Sequence, residues 1–180
     1  MNNTSILDVK EAYEAPLLSY IGAIKDLTQA GSLVEGTGGE DLIEGGRDND
    51  TVSGNEGNDV LVGQGGEDVI EGGEGNDVVR GGAGRDTVSG GEGDDIVIGD
   101  TGDDLVEGGE GNDTLQAGSG RDTVSGDGGE DSLSGGSGSD TFIVDSNDRI
   151  TDFDPTEDEA FSVDREPVEI GNDGRPIFDS

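Results

Sequence analysis

The sequence predicts an all-β solenoid of about six stacked 18-residue coils, with a non-repetitive segment at each end. Three observations predict it. Residues 36–143 divide into twelve nonapeptides in unbroken register, each close to Gly-Gly-x-Gly-x-Asp followed by x-apolar-x. A clear copy is Gly72-Gly73-Glu74-Gly75-Asn76-Asp77-Val78-Val79-Arg80. The eighth position is always large and apolar: Ile43, Val52, Leu61, Ile70, Val79, Val88, Val97, Val106, Leu115, Val124, Leu133 and Phe142. The first six positions are rich in Gly and Asp, residues that form turns and tolerate backbone conformations closed to others.

Residues 1–35 carry no repeat. Leu7, Val9, Tyr13, Leu17, Leu18, Ile21, Ile24 and Leu27 supply most of their apolar content. Spacings of three and four from Leu17 to Leu27 predict a short amphipathic helix, with Pro16 in its first turn. Such a helix could lie over the first coil and cover its open edge; a disordered leader is the alternative. A third reading comes from Tyr13-Glu-Ala-Pro16, Leu18, Gly22, Leu27 and Thr28. These resemble the leader of lasso-peptide precursors, which implies a carrier whose Tyr-x-x-Pro segment is recognised and processed by a partner near Thr28. Counting Ala30 or Gly31 as the first residue, positions seven to nine fall between Gly36 and Gly39 and hold no acidic residue, so the resemblance reaches the leader and not a lasso product.

In residues 36–143 the last three positions of each nonapeptide read as a minimal strand and the first six as a turn. Side chains alternate along a strand, so the eighth residue points inward and the seventh and ninth outward. Two nonapeptides make a coil, and coils stack at roughly 4.8 Å. A coil buries only two aliphatic side chains against the conformational entropy of eighteen residues, so the apolar core alone is too small to hold the stack. The repeated acid at the sixth position points to the missing contribution. It is Asp in every copy: Asp41, Asp50, Asp59, Asp68, Asp77, Asp86, Asp95, Asp104, Asp113, Asp122, Asp131 and Asp140. Calcium takes six to eight hard oxygens, and stacked turns offer both carboxylates and carbonyls.

This pattern resembles the RTX (repeats-in-toxin) calcium-binding nonapeptide repeat over 108 of the 180 residues. The resemblance implies a right-handed parallel β-roll with calcium held along its edges. It also implies that the twelve Asp are the ligands, with several calcium ions bound, up to about ten. Some copies depart from the pattern. Thr37 and Gln64 occupy a second position that favours positive φ, where Asn55, Asp100 and Asp127 fit better. Asp48 and Ala117 replace glycines. Sites that use turns one, two and four are expected to be weakest.

Residues 144–180 follow the repeat. Thr141–Val144, Arg149–Phe153 and Ala160–Val163 read as strands, and residues 168–178 as a hairpin turning at Asp173-Gly174. The stretch from Asn147 to Asp158 is similar to the segment that follows RTX arrays in secreted proteases and lipases. That likeness implies a β cap and a nearby uncleaved signal for type I secretion. All four Phe lie at this end (Phe142, Phe153, Phe161 and Phe178), which predicts an aromatic cluster.

Composition narrows the function. The net charge is −35, of which −23 falls within residues 36–143. Such a field repels nucleic acid and anionic lipid and attracts cations. No apolar run reaches membrane-spanning length. With no Cys and no His there is no disulfide, thiolate site, zinc triad or Ser-His-Asp arrangement. About 35 residues before the array are too few for a catalytic domain, so no enzyme is expected. The reading is a secreted, extracellular calcium-binding repeat protein that passes through type I secretion machinery, with a structural, adhesion or secretion-assisting role. Odd copies place Leu42, Val60, Val78 and Ile96 at the outward seventh position, a face open to self-association, with plain β-propensity as the alternative reading.

Overall fold

Alternation puts every eighth residue on the inside of a strand, and the computed structural model shows the result. It describes residues 31–163 and 167–177, with the backbone of Lys25–Asp26. The strands in chain order are β1 (Lys25–Asp26), β2 (Leu33–Glu35), β3 (Leu42–Gly46), β4 (Thr51–Glu56), β5 (Val60–Gly65), β6 (Val69–Glu74), β7 (Val78–Ala83), β8 (Thr87–Glu92) and β9 (Ile96–Thr101). They continue as β10 (Leu105–Glu110), β11 (Thr114–Ser119), β12 (Thr123–Gly128), β13 (Ser132–Ser137), β14 (Thr141–Val144), β15 (Arg149–Ile150), β16 (Glu159–Ser162), β17 (Glu169–Ile170) and β18 (Pro176–Ile177).

The strands β1 to β16 form two parallel sheets of eight, the odd-numbered in one and the even-numbered in the other. Neighbours within a sheet are one coil apart, so Leu61 pairs with Val79 and Val79 with Val97, while Val52 pairs with Ile70. The chain is therefore an all-β parallel solenoid of about seven coils. All twelve eighth-position residues are buried between the sheets.

The strands are longer than the sequence pattern suggests. Most are six residues, running three residues into the next nonapeptide, so only positions four to six make the turn. The reason lies at position one. Its glycine faces inward on the same side as the eighth residue, beside the Asp carboxylate, where the largest side chain any copy carries is the buried methyl of Ala117. A Cβ at Gly54 would overlap both the Asp59 carboxylate and the carbonyl of Gly72. The backbone therefore stays in the ladder across the glycines, as the 2.8 Å bond from the Gly57 amide to the Glu74 carbonyl shows.

The stack also extends beyond the motif. Val34 is buried and pairs with Val52, one coil before the first recognisable Asp of that sheet. Lys25 pairs with Ile43. The helix predicted from Leu17 to Leu27 falls mostly outside the described residues, but its Lys25–Asp26 portion is strand, because the edge of the odd sheet offers that backbone a parallel partner. At the other end Ile150 pairs with Leu133 and Ala160 with Phe142. The antiparallel hairpin β17–β18 turns through Gly174, whose φ is +79°. It then closes the stack: the Ile150 amide donates to the Gly174 carbonyl at 2.7 Å, and the Val168 amide to the Ala160 carbonyl at 2.9 Å.

The predicted aromatic cluster is smaller than expected. Phe142 and Phe153 meet with ring centroids 6.1 Å apart. Phe161 pairs with Ile143 on the outward-facing register of the even sheet, so alternation carries its ring away from the core. Phe178 lies outside the described residues. The two outer faces do differ. On the odd sheet Leu42, Val60, Val78 and Ile96 stand in register, and the last three are exposed. Arg80 interrupts the parallel row of Val62 and Ile98 and pairs with Asp100. Among the described residues, no helix is long and apolar enough to cross a membrane.

Candidate metal centre

Each sixth-position Asp ends a three-residue turn, and stacking carries the next Asp of the same edge to lie beside it. The twelve sequence-predicted Asp thus form two columns. One holds Asp41, Asp59, Asp77, Asp95, Asp113 and Asp131; the other holds Asp50, Asp68, Asp86, Asp104, Asp122 and Asp140. All twelve are at most 5% exposed.

The columns are linked by one repeated bond. The amide of each Asp donates to Oδ1 of the Asp one coil later, as in Asp41 to Asp59, Asp59 to Asp77 and Asp77 to Asp95, each at 2.7 Å. The second column repeats it from Asp50 to Asp68 at 2.7 Å and from Asp104 to Asp122 at 2.8 Å. A second ladder at position five runs the opposite way: the amide of Asn76 donates to the Asn58 side chain, and that of Asn112 to Asp94, both at 2.8 Å.

The other carboxylate oxygen is left over. Oδ2 of Asp50, Asp59, Asp68, Asp77, Asp86, Asp95, Asp104, Asp113, Asp122 and Asp131 is buried and has no hydrogen-bond donor. Leaving such an atom without a partner is costly, more so when it carries charge. Burial accordingly pushes up the carboxyls of Asp68 and Asp122, to about 6, and of Asp95, to about 7, with neighbouring Asp charges adding to the effect. Asp59, Asp77, Asp86, Asp104, Asp113, Asp131 and Asp140 shift in the same direction, each chiefly through burial.

This arrangement fits a hard cation. Every donor is oxygen, and the carbonyl of one turn lies against the turn glycine of the next coil, as that of Gly57 does against Gly75. Among the described residues no group of three or more acidic side chains is gathered tightly enough to hold a metal by itself. Any ion must therefore share one or two carboxylates with backbone carbonyls, the mixed oxygen set that suits calcium. At position two, Asn55, Gln64, Asp100 and Asp127 all adopt positive φ, between 65° and 80°. Gln64 thus takes the conformation despite its poor intrinsic fit, because the stacked neighbours hold the backbone there.

Two members of the columns were not apparent from the motif. Asp148 is fully buried and receives the Asp131 amide on Oδ1 at 3.3 Å; burial, aided by the nearby Asp131 and Asp145, raises its carboxyl to about 7. Asp158 receives the Asp140 amide at 3.0 Å. Asp158 lies eighteen residues after Asp140, which was a usable signal. Asp148 is one residue out of step, so no periodic search would find it. Both differ from the internal Asp, since their second oxygen is taken by a local amide, from Asp145 at 2.7 Å and from Asp154 at 2.8 Å.

Comparison with known families agrees with this geometry. The model of the RTX calcium-binding nonapeptide repeat (four copies) matches residues 35–70, 71–106 and 107–142. No curated protein matches the chain by sequence. With that match covering more than half of the chain and the Asp columns in place, the chain belongs to the RTX calcium-binding nonapeptide repeat family.

Proposed function

We propose that the Asp columns are the calcium ligands of a protein that is exported unfolded through a type I system and folds on meeting extracellular calcium. The observation that carries this reading is the set of ten buried carboxylate oxygens without a donor. In a cation-poor cytosol they oppose folding; extracellular calcium-binding modules work at about 0.1–1 mM calcium, where they become the means of folding. Residues 36–143 are the calcium-binding roll and residues 144–180 a cap that also carries the export signal. Residues 1–35 are the N-terminal segment, whose Tyr13–Pro16 motif lies outside the described residues. The RTX solenoid is a structural fold, and the role that follows is structural, adhesive or secretion-assisting, without catalysis.

Export is tested by producing the chain beside a type I exporter and measuring the intact mass of the secreted product. The expected product starts at Met1 or Asn2, and deleting residues 144–180 abolishes its appearance in the medium. A product cut near Thr28–Gly31 would favour the processed-carrier reading instead, and secretion that ignores the deletion would remove the export signal from this segment.

The in-register ladder of Val60, Val78 and Ile96 supports a weak self-contact through the odd sheet. Sedimentation of the calcium-loaded chain at high concentration should show association that Val60→Thr with Val78→Thr suppresses. A wild-type chain that sediments as a monomer throughout rules the contact out.

A further inference from the structure

We propose that Thr37 closes the first carboxylate of its column to calcium by satisfying Oδ2 of Asp41 from within the protein. The proposal rests on calcium being held by the donor-free oxygens of the Asp columns. In the other turns of this column, position two takes positive φ: 77° at Asn55, 119° at Gly73, 118° at Gly91, 117° at Gly109 and 65° at Asp127. Thr37 stands at the same position and is not among the positive-φ residues. Its branched Cβ makes that region strongly unfavourable, and unlike Gln64 it has no complete preceding coil to hold it there.

The consequence is visible at the carboxylate. The Thr37 amide donates to Oδ2 of Asp41 at 2.5 Å, and its hydroxyl donates to the same oxygen at 2.9 Å. That is the oxygen left without a donor at Asp59, Asp77, Asp95, Asp113 and Asp131. A second observation points the same way. The carbonyl of Gly36, in the same turn, accepts the Asn55 side-chain amide at 3.2 Å. Strand β2 also stops at Glu35 instead of running three residues into the next nonapeptide, as β4 does. The first turn thus supplies its own donors where the later turns present free oxygens.

At the far end of the column, Asp148 is closed in a similar way by the amides of Asp131 and Asp145. Both ends are finished by protein hydrogen bonds, and the five open carboxylates lie between them. Thr37 is therefore a residue that sets where ion binding starts, and an Asp that matches the motif is not on that ground a ligand.

The test counts calcium ions on the full-length, calcium-loaded chain by native mass spectrometry, and follows the folding transition by circular dichroism. Asp41→Asn is expected to keep the wild-type ion count and a calcium midpoint within about twofold of wild type. Asp77→Asn, in the open part of the column, is expected to lose at least one ion and to need more calcium. Thr37→Gly is expected to gain one ion. Loss of an ion in Asp41→Asn, or an unchanged count in Thr37→Gly, overturns the closure. An unchanged count in Asp77→Asn instead overturns the ligand assignment on which the closure rests. Should Thr37→Gly fail to fold, the comparison of Asp41→Asn with Asp77→Asn decides alone.

Discussion

In excess chelator at about pH 8 the purified chain is expected to be expanded and to lack β signal, and millimolar calcium is expected to compact it into the roll. The cause is the ten buried carboxylate oxygens, which stay charged and unpartnered at that pH without a cation. Magnesium should not substitute, because it demands near-octahedral geometry and gives up its waters reluctantly. Protons should substitute in part. Burial raises the folded-state carboxyls of Asp68, Asp95 and Asp122 to about 6, 7 and 6. A raised folded value means that protonation favours the folded state. The resulting stabilisation is fully present below the ordinary carboxylate value near 4 and is lost as pH rises through about 6–7. Two results follow: the calcium-free chain gains β signal on acidification to about pH 4, and at about pH 6 no more calcium is needed to fold it than at pH 8, because the unfolded and calcium-loaded carboxyls are both ionised over that range and only the calcium-free folded state takes up protons. A complete β spectrum in chelator at pH 8, or no gain of β signal in the calcium-free chain on acidification to about pH 4, would contradict this account.

The second large effect is expected at the C-terminal end. In a stacked array each coil is stabilised by its neighbours, and an uncapped end loses one of them. Removing residues 144–180 takes away β15 and β16, the hairpin that receives and supplies their last backbone bonds, and Phe153 from beside Phe142. It also removes Asp148 and Asp158, which accept the amides of Asp131 and Asp140. Calcium-induced folding should then be abolished or need at least about tenfold more calcium. Removing residues 1–35 takes away β1 and β2, and with them the buried Val34 from beside Val52. Its effect should stay within about threefold, because the first turn already satisfies Asp41 through Thr37. Circular dichroism of the two truncations titrated with calcium separates these expectations. If the chain without residues 144–180 folds at the wild-type calcium concentration, the cap is dispensable.

The pairing of the strands follows from the repeat almost completely. A nine-residue period with an apolar eighth position places every Leu, Val and Ile of the repeat core, divides the strands into two sheets and collects the twelve Asp on two edges. Regions without the period were harder to read. The Lys25–Asp26 strand lies in a stretch whose spacing suits a helix, and the odd-sheet edge decides its state. Phe161 looked like core by composition, yet its register with Ile143 turns it outward.

By itself, then, the sequence determined the solenoid, the inward residues and the acidic edges, because each depends only on alternation along a strand and on a repeat length that returns the chain to the same edge every eighteen residues. What only the tertiary structure decided is which carboxylate oxygens are free. The partner of each Asp is an amide one coil away, or a local amide at Thr37, Asp145 and Asp154, and the motif does not encode which of these is within reach. Asp41 matches the motif and is closed; Asp148 lies out of step and still joins the column. A hydrogen bond depends on where stacking places its donor, and that position is a property of the assembled coils, not of any one nonapeptide.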